Sequence, residues 1–187
     1  MRQSVNIESP IVVGALIGGD NPEFVMTKDA MSKVLYGLTE FCKTHDAELL
    51  LTTSRRTPKE AEALIKERLG KLKLCKLLII ANEKNMEGAV AGILGISQIV
   101  AVSGESVSMV SEAIHSGKKV VVFDIDKRRQ NVAKYDRVLG LLERDGYISR
   151  AEPPDLGAKL EKAWKSQRPP REVDDKERTY QAIRRLL

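Results

Sequence analysis

Hydrophobic and polar positions in this chain separate into blocks. Five short runs are apolar almost throughout: Ile11 to Ile17, Glu48 to Thr52, Leu77 to Ala81, Ile99 to Ser103 and Val120 to Phe123. Such runs suit strands covered on both faces, so they predict a buried parallel sheet. Between them the spacing turns helical. Met31, Val34, Leu35, Leu38, Phe41 and Cys42 fall on one stripe of a first helix. Thr57-Pro58-Lys59-Glu60 predicts a second helix start, with Thr57 as cap, Pro58 in the first turn and Glu60 closing a capping box. That helix runs through Leu64, Ile65 and Leu69 and stops at Gly70. A third spans Glu87 to Leu94, near Gly95, and a fourth spans Ser106 to Ser116, ended by Gly117. Val132, Tyr135, Val138, Leu139 and Leu142 mark a fifth before Gly146.

Strands alternating with helices imply βαβ units with right-handed crossovers. The predicted fold class is α/β: a doubly wound, Rossmann-like parallel sheet. Counting the five runs in chain order, the expected strand order is 3-2-1-4-5 or its six-strand extension. The length of 187 residues suits one domain, taken as residues 1–166. Leu156, Leu160, Ala163 and Trp164 mark its last helix, between Pro153-Pro154 and Pro169-Pro170. Residues 167–187 then form a tail whose helix carries Tyr180, Ile183, Leu186 and Leu187 on one stripe. That stripe has two outcomes: folding back, or burial against another chain. The second is favoured, with either another copy or a second Rossmann-like chain as the partner.

Composition narrows the class. Apolar residues make up 42% and charged residues 30%, the balance of a globular protein rather than a disordered one. No apolar run approaches the ~20 residues of a membrane span, and the start lacks a signal-peptide core, which predicts a cytoplasmic protein. Residues 1–126 hold 15 Lys and Arg against 16 Asp and Glu, while residues 127–187 hold 16 against 10. The basic excess therefore belongs to the last third, where it suits a solvated helix surface or peripheral contact with an anionic membrane. Aromatics are only 4%, too few for base stacking, which argues against nucleic acid. Cys42 and Cys75 lack CxxC spacing and predict reduced thiols. His45 and His115 have no ligand cluster around them, and no metal site is predicted.

In an open parallel sheet, ligands bind beyond the carboxyl ends of the strands. Three polar loops are expected there. Gly18-Gly19-Asp20-Asn21 follows the first strand, and paired glycines let a phosphate approach the backbone. Thr52-Thr53-Ser54-Arg55-Arg56-Thr57-Pro58 follows the second, joining hydroxyls and two guanidiniums ahead of a helix N-terminus. Ser103-Gly104-Glu105-Ser106-Val107-Ser108 follows the fourth. There the helix mouth offers free N–H groups to an anion, and Glu112, farther along, can accept bonds from sugar hydroxyls. The candidate binding residues are Gly18, Gly19, Asn21, Ser54, Arg55, Ser103, Glu105, Ser106, Ser108 and Glu112. Each loop also reads as an ordinary turn or cap. No GxxxxGK[ST], GxGxxG or GxSxG motif is present, so a P-loop, a classical dinucleotide site and a nucleophile elbow are not expected. Asp124-Ile125-Asp126 reads as a polar strand end rather than a metal site.

Three fragments carry a resemblance. "LIGGDN" (Leu16 to Asn21), "TTSRRTP" (Thr52 to Pro58) and "SGESVSMVSEAIHSGKKVVVF" (Ser103 to Phe123) are similar, in the same order, to the C-terminal half of the elongated-mitochondria, or mitochondrial-fission, family. That family resembles GT-B glycosyltransferases, and the matching zone covers about residues 11–148. The resemblance implies a GT-B C-terminal domain, the half that usually holds the nucleotide-sugar donor. It implies Ser106 and Ser108 toward phosphate, Glu112 toward ribose, and Ser54 and Arg55 beside the donor or the interdomain cleft. No other cofactor is implied. Three departures stand out. The N-terminal domain of comparable size is missing. Glu105 replaces the family's usual aspartate, after an unusual Gly104. Asn82 to Gly88 lacks the expected Asn-Pro-Tyr. Catalytic residues are not assigned, because the catalytic base often lies on the other half.

Three functions are compatible with these features: a donor-binding half of a GT-B-like transferase, a non-catalytic interaction protein that keeps the fold, and a sugar-nucleotide epimerase-like enzyme.

Overall fold

The computed structural model describes residues 5–84, 86–128 and 133–171. Strand β1 (Val12–Ile17) leads to a two-residue strand β2 (Phe24–Val25) and helix α1 (Lys28–Thr44). There follow β3 (Glu48–Thr53), α2 (Lys59–Leu69), β4 (Cys75–Ile79), α3 (Ala89–Ile96) and β5 (Ile99–Ser103). Then come α4 (Val107–His115), β6 (Lys119–Phe123), the short β7 (Asp126–Lys127) and α5 (Ala133–Arg144). The described chain closes with β8 (Ser149–Ala151), a 3-10 turn (Pro153–Asp155) and α6 (Leu156–Lys165).

Six strands form one sheet in the order β4-β3-β1-β5-β6-β8, and every pairing within it is parallel. This is the expected order extended by a sixth strand. Side chains alternate between faces with a period of two. Val13, Ala15 and Ile17 of β1 join Leu49 and Leu51 of β3 in a core covered by α1, α2 and α6. Val12 and Leu16 join Leu50, Val100 and Val102 in the opposite core, under α3, α4 and α5. Both faces are thus covered, which is why β1, β3 and β5 are buried along their whole lengths. No described helix is long and apolar enough to cross a membrane.

Helix α1 packs on α6 with almost no spacer. A Cβ added at Gly37 would lie 2.8 Å from the Gly157 backbone nitrogen, and one added at Gly157 would lie 3.3 Å from the Gly37 Cα. His45, at the end of α1, bonds to Glu161 of α6 and ties the same pair lower down.

Some boundaries differ from those the pattern predicts. Thr57 does not cap α2 and no capping box forms. Pro58 occupies the N-cap, no side chain bonds to the helix start, and the Thr57 hydroxyl is engaged elsewhere. Helix α3 starts at Ala89 rather than Glu87, after Gly88 turns left-handed at φ 71°, and it runs through Gly95. Strand β4 begins two residues earlier than the apolar run, at Cys75. The β2–β7 pair is an antiparallel ribbon that the sequence pattern did not predict, because two-residue strands carry no periodicity. Thr27 caps α1 by accepting a bond from the Ala30 N–H. Val132 and the tail residues Tyr180, Ile183, Leu186 and Leu187 lie outside the described residues.

Both cysteines are free thiols. Burial pushes the Cys42 thiol up to about 12 and the Cys75 thiol up to about 11, which leaves both unreactive at neutral pH.

Candidate functional site at the sheet switch point

The order reverses at β1, whose neighbours are β3 on one side and β5 on the other. Crossovers leave β1 and β5 in opposite directions, so their carboxyl ends open a crevice between them. The three polar loops meet there. The Gly18 N–H donates to the Ser103 hydroxyl at 2.8 Å, and the Gly19 N–H donates to Glu105 Oε1 at 2.8 Å. The Thr57 hydroxyl donates to the Gly18 carbonyl at 2.5 Å, and the Asp20 N–H donates to the Arg56 carbonyl at 3.0 Å. The loop after β1 is therefore bonded to each of the other two.

Close packing explains the glycines. A Cβ on Gly18 would lie 1.7 Å from Glu105 Oε1, and one on Gly19 would lie 2.1 Å from the Arg56 carbonyl oxygen. The pair leaves room for protein groups rather than for a ligand. Gly104 is confined in the same way, with Leu139 and Val122 each 3.1 Å from an added Cβ.

Glu105 lies at the centre of this junction and is only 3% exposed. Its Oε2 has no hydrogen-bond partner. Burial lifts its carboxyl above the usual carboxylate range, against the opposing pull of the Gly19 N–H, Ser103, its own backbone and the Arg56 guanidinium. Arg56 Nη2 approaches Oε1 at 3.8 Å while 45% of its side chain stays exposed.

The other candidate residues take different places. Ser54 and Thr57 close a turn in which Ser54 Oγ accepts the Arg56 N–H at 3.1 Å. Arg55, at the tip of that turn, is exposed. Asn21 Oδ1 accepts the N–H groups of Glu23 and Phe24, so its side chain shapes the loop. Ser106 is the buried N-cap of α4 but makes no side-chain cap bond, and its hydroxyl lies 3.3 Å from that of Ser108. The α4 mouth thus keeps its first N–H groups clear of a side-chain cap. Ser108 and Glu112 are exposed four residues apart on α4, on one face of the helix.

Sequence reasoning did not list Thr57 or Arg56 among the binding residues, although both lie in the TTSRRTP fragment. The signal was there, but Thr57 before Pro58 reads as a cap. A second polar group flanks the site. Arg150 pairs with Asp124 at 2.7 Å, and Arg128 pairs with Asp20 at 2.5 Å. Asp124 is thus the polar strand end expected of it. Among the described residues no group of His, Cys, Asp and Glu is arranged to hold a metal.

The architecture and the polar junction at its switch point are those of a Rossmann-like α/β domain. The family model for mitochondrial fission ELM1 matches residues 2–187, and the chain belongs to that family. No curated protein matches the chain. Among solved structures, it is similar to a putative UDP-N-acetylglucosamine 2-epimerase from Listeria monocytogenes, with 14% identity and a TM-score of 0.58. That match covers 84% of this chain but 37% of the other. A co-structure of S. aureus MnaA with UDP matches at 11% identity and a TM-score of 0.59, covering 87% of this chain and 40% of that one. The chain thus spans well under half the length of these two proteins. An NMR structure of ALG13 matches at 17% identity and a TM-score of 0.59, covering 95% of this chain and 94% of that one. At these identities the likeness establishes the fold alone.

Proposed function

We propose that this chain binds a nucleotide, as the diphosphate part of a nucleotide sugar, at the switch-point crevice. It acts as the donor half of a GT-B-like transferase, with the acceptor half supplied by another domain or chain. The observation that carries this reading is the mouth of α4. Its N-cap side chain leaves the helix N–H groups uncapped, Ser108 and Glu112 are exposed on the same helix, and Arg55 and Arg56 are exposed in the β3–α2 loop that bonds to the same junction. A helix N-terminus with hydroxyls and guanidiniums suits a diphosphate, and a carboxylate one turn on suits ribose hydroxyls. The UDP bound in the S. aureus neighbour accords with this ligand class.

One observation favours a second reading, a non-catalytic interaction domain. The Gly18 and Gly19 N–H groups, natural phosphate donors, are already taken by Ser103 and Glu105. A thermal-shift series with UDP, UDP-N-acetylglucosamine and other nucleoside diphosphates separates the two. A ligand that binds only the folded chain stabilises it by ~2.7 kcal/mol at a hundredfold excess over its dissociation constant. Ser106→Ala and Glu112→Ala should each weaken that binding by roughly 1.5–3 kcal/mol, since each loses a hydrogen bond in which one member is charged: the phosphate for Ser106, the Glu112 carboxylate itself for the ribose. The unliganded midpoint should hardly move for Glu112→Ala, whose side chain is exposed. No shift with any nucleotide would leave the interaction reading in place.

A further inference from the structure

Glu105 has no role in the reading so far, yet it occupies the place where a ligand anion would be expected. The crevice at a switch point lies between the loops after β1 and β5, and the Glu105 carboxyl fills it from inside. It takes the Gly19 N–H and lies within ion-pair range of Arg56, two groups that would otherwise face a phosphate. Gly18 is stripped of any side chain at the point where Glu105 Oε1 sits. The glycine turn is therefore packed around this carboxyl.

We propose that Glu105 is a built-in anion that closes the glycine turn to phosphate, directs the incoming diphosphate to the α4 mouth, and competes with it for Arg56. This rests on the nucleotide reading above. It makes Glu105 a positioning residue, acting through Arg56 and the turn rather than by touching the ligand.

The charged groups around it are few. Arg56 approaches from the β3–α2 loop. Asp20, in the loop after β1, is paired with Arg128. Asp124, at the end of β6, lies beyond Gly104 and is paired with Arg150. Arg56 is thus the cation whose attention Glu105 and a diphosphate would share.

The geometry also explains why removing the charge is possible. A glutamine has the same length, and its amide oxygen can still accept the Gly19 N–H. The proposal therefore makes a directional statement about binding. An ionised Glu105 holds Arg56 and repels phosphate, and an uncharged side chain releases it. Burial raises this carboxyl, so it ionises at a higher pH than an exposed carboxyl would. The difference between wild type and Glu105→Gln should therefore widen as pH rises.

The test is calorimetry on the full chain with UDP and uridine, across pH 5 to 8. Glu105→Gln should bind UDP about fivefold more tightly than wild type at the upper end, a gain of the size expected for freeing one half-exposed cation. Uridine, which has no phosphate, should show no gain. Arg56→Gln should weaken UDP binding in the wild-type background and remove the gain in the Glu105→Gln background. That coupling is a readout that a merely structural Glu105 would not produce. Unchanged or weaker UDP binding by folded Glu105→Gln, or an equal gain for uridine, would overturn the proposal. If Glu105→Gln fails to fold, Arg56→Gln alone decides: it must flatten the part of the pH dependence that separates UDP from uridine, and an unaltered profile overturns the proposal. A wild-type chain that binds neither compound sinks the nucleotide reading itself, whereas a binding wild type with no Arg56 coupling sinks only the role given to Glu105.

Discussion

Gly19→Ala should destabilise the domain by about 3 kcal/mol, at the upper end of what an inserted methyl group costs in a packed interior. The new Cβ would lie 2.1 Å from the Arg56 carbonyl oxygen, 2.2 Å from its carbon and 2.5 Å from the Thr57 nitrogen. All three are backbone atoms, so no rotamer change relieves the collision. One of the two loops has to move, and the bond from the Asp20 N–H to the Arg56 carbonyl moves with it. Gly18→Ala is a different lesion. Its Cβ meets a side chain, Glu105, at 1.7 Å. Adding Glu105→Ala should therefore restore part of the stability of Gly18→Ala and none of that of Gly19→Ala. Urea unfolding of the four variants reads this directly. Equal recovery in both backgrounds, or a wild-type midpoint for Gly19→Ala, would contradict the packing described.

Arg150→Met should cost about 2–3 kcal/mol at neutral pH, near the lower end for breaking a buried ion pair, because both partners keep some exposure. Arg150 pairs with Asp124 at 2.7 Å and also reaches Asp136 at 3.5 Å. Methionine fills the space of the stem and leaves Asp124 desolvated without its cation. Burial already outweighs that attraction and raises the Asp124 carboxyl in the wild type. A carboxyl raised in the folded state favours folding at low pH and loses that advantage as pH rises through its folded value. Without Arg150 the carboxyl rises further. The deficit of Arg150→Met should therefore be largest near pH 7 and shrink as Asp124 is protonated on the acid side. Unfolding curves at pH 7 and pH 4.5 measure it, and a deficit that grows toward acid pH would refute the assignment.

Much of this architecture was legible because the signals were long. Five apolar runs of four to seven residues, separated by helical stripes, leave few ways to build a sheet. Right-handed crossovers then narrow its order to a handful. The sixth strand was harder to read: Ser149-Arg150-Ala151 has a polar, charged centre and reads as loop until a partner strand is known. The β2–β7 ribbon escaped because a pairing between residues some 100 positions apart leaves no trace in either short segment. At the site, the sequence indicated which loops gather but not what they do to one another. Thr57 looked like a helix cap because the residues after it begin a helix, yet its hydroxyl turns back to the Gly18 carbonyl. Asn21 looked like a ligand residue and serves its own turn. The glycines looked like space for a phosphate, and Glu105 takes that space. Propensity describes neighbours along the chain, and these bonds join residues that are distant along it.

The backbone contact between Gly37 and Gly157 also bears on how the chain reaches its fold. It joins segments about 120 residues apart, and every strand of the sheet except β1 lies between them in sequence. During synthesis, β1, β3, β4 and β5 can pair as they emerge, but α1 has no α6 to cover it until the chain has passed residue 165. Leu156 and Leu160, both fully buried in the finished core, arrive last. Until then the α1 surface that receives Leu156 at Gly37 has no α6 to cover it. Closure of this face is thus a long-range event that waits for the last described helix, and such contacts slow folding relative to local ones.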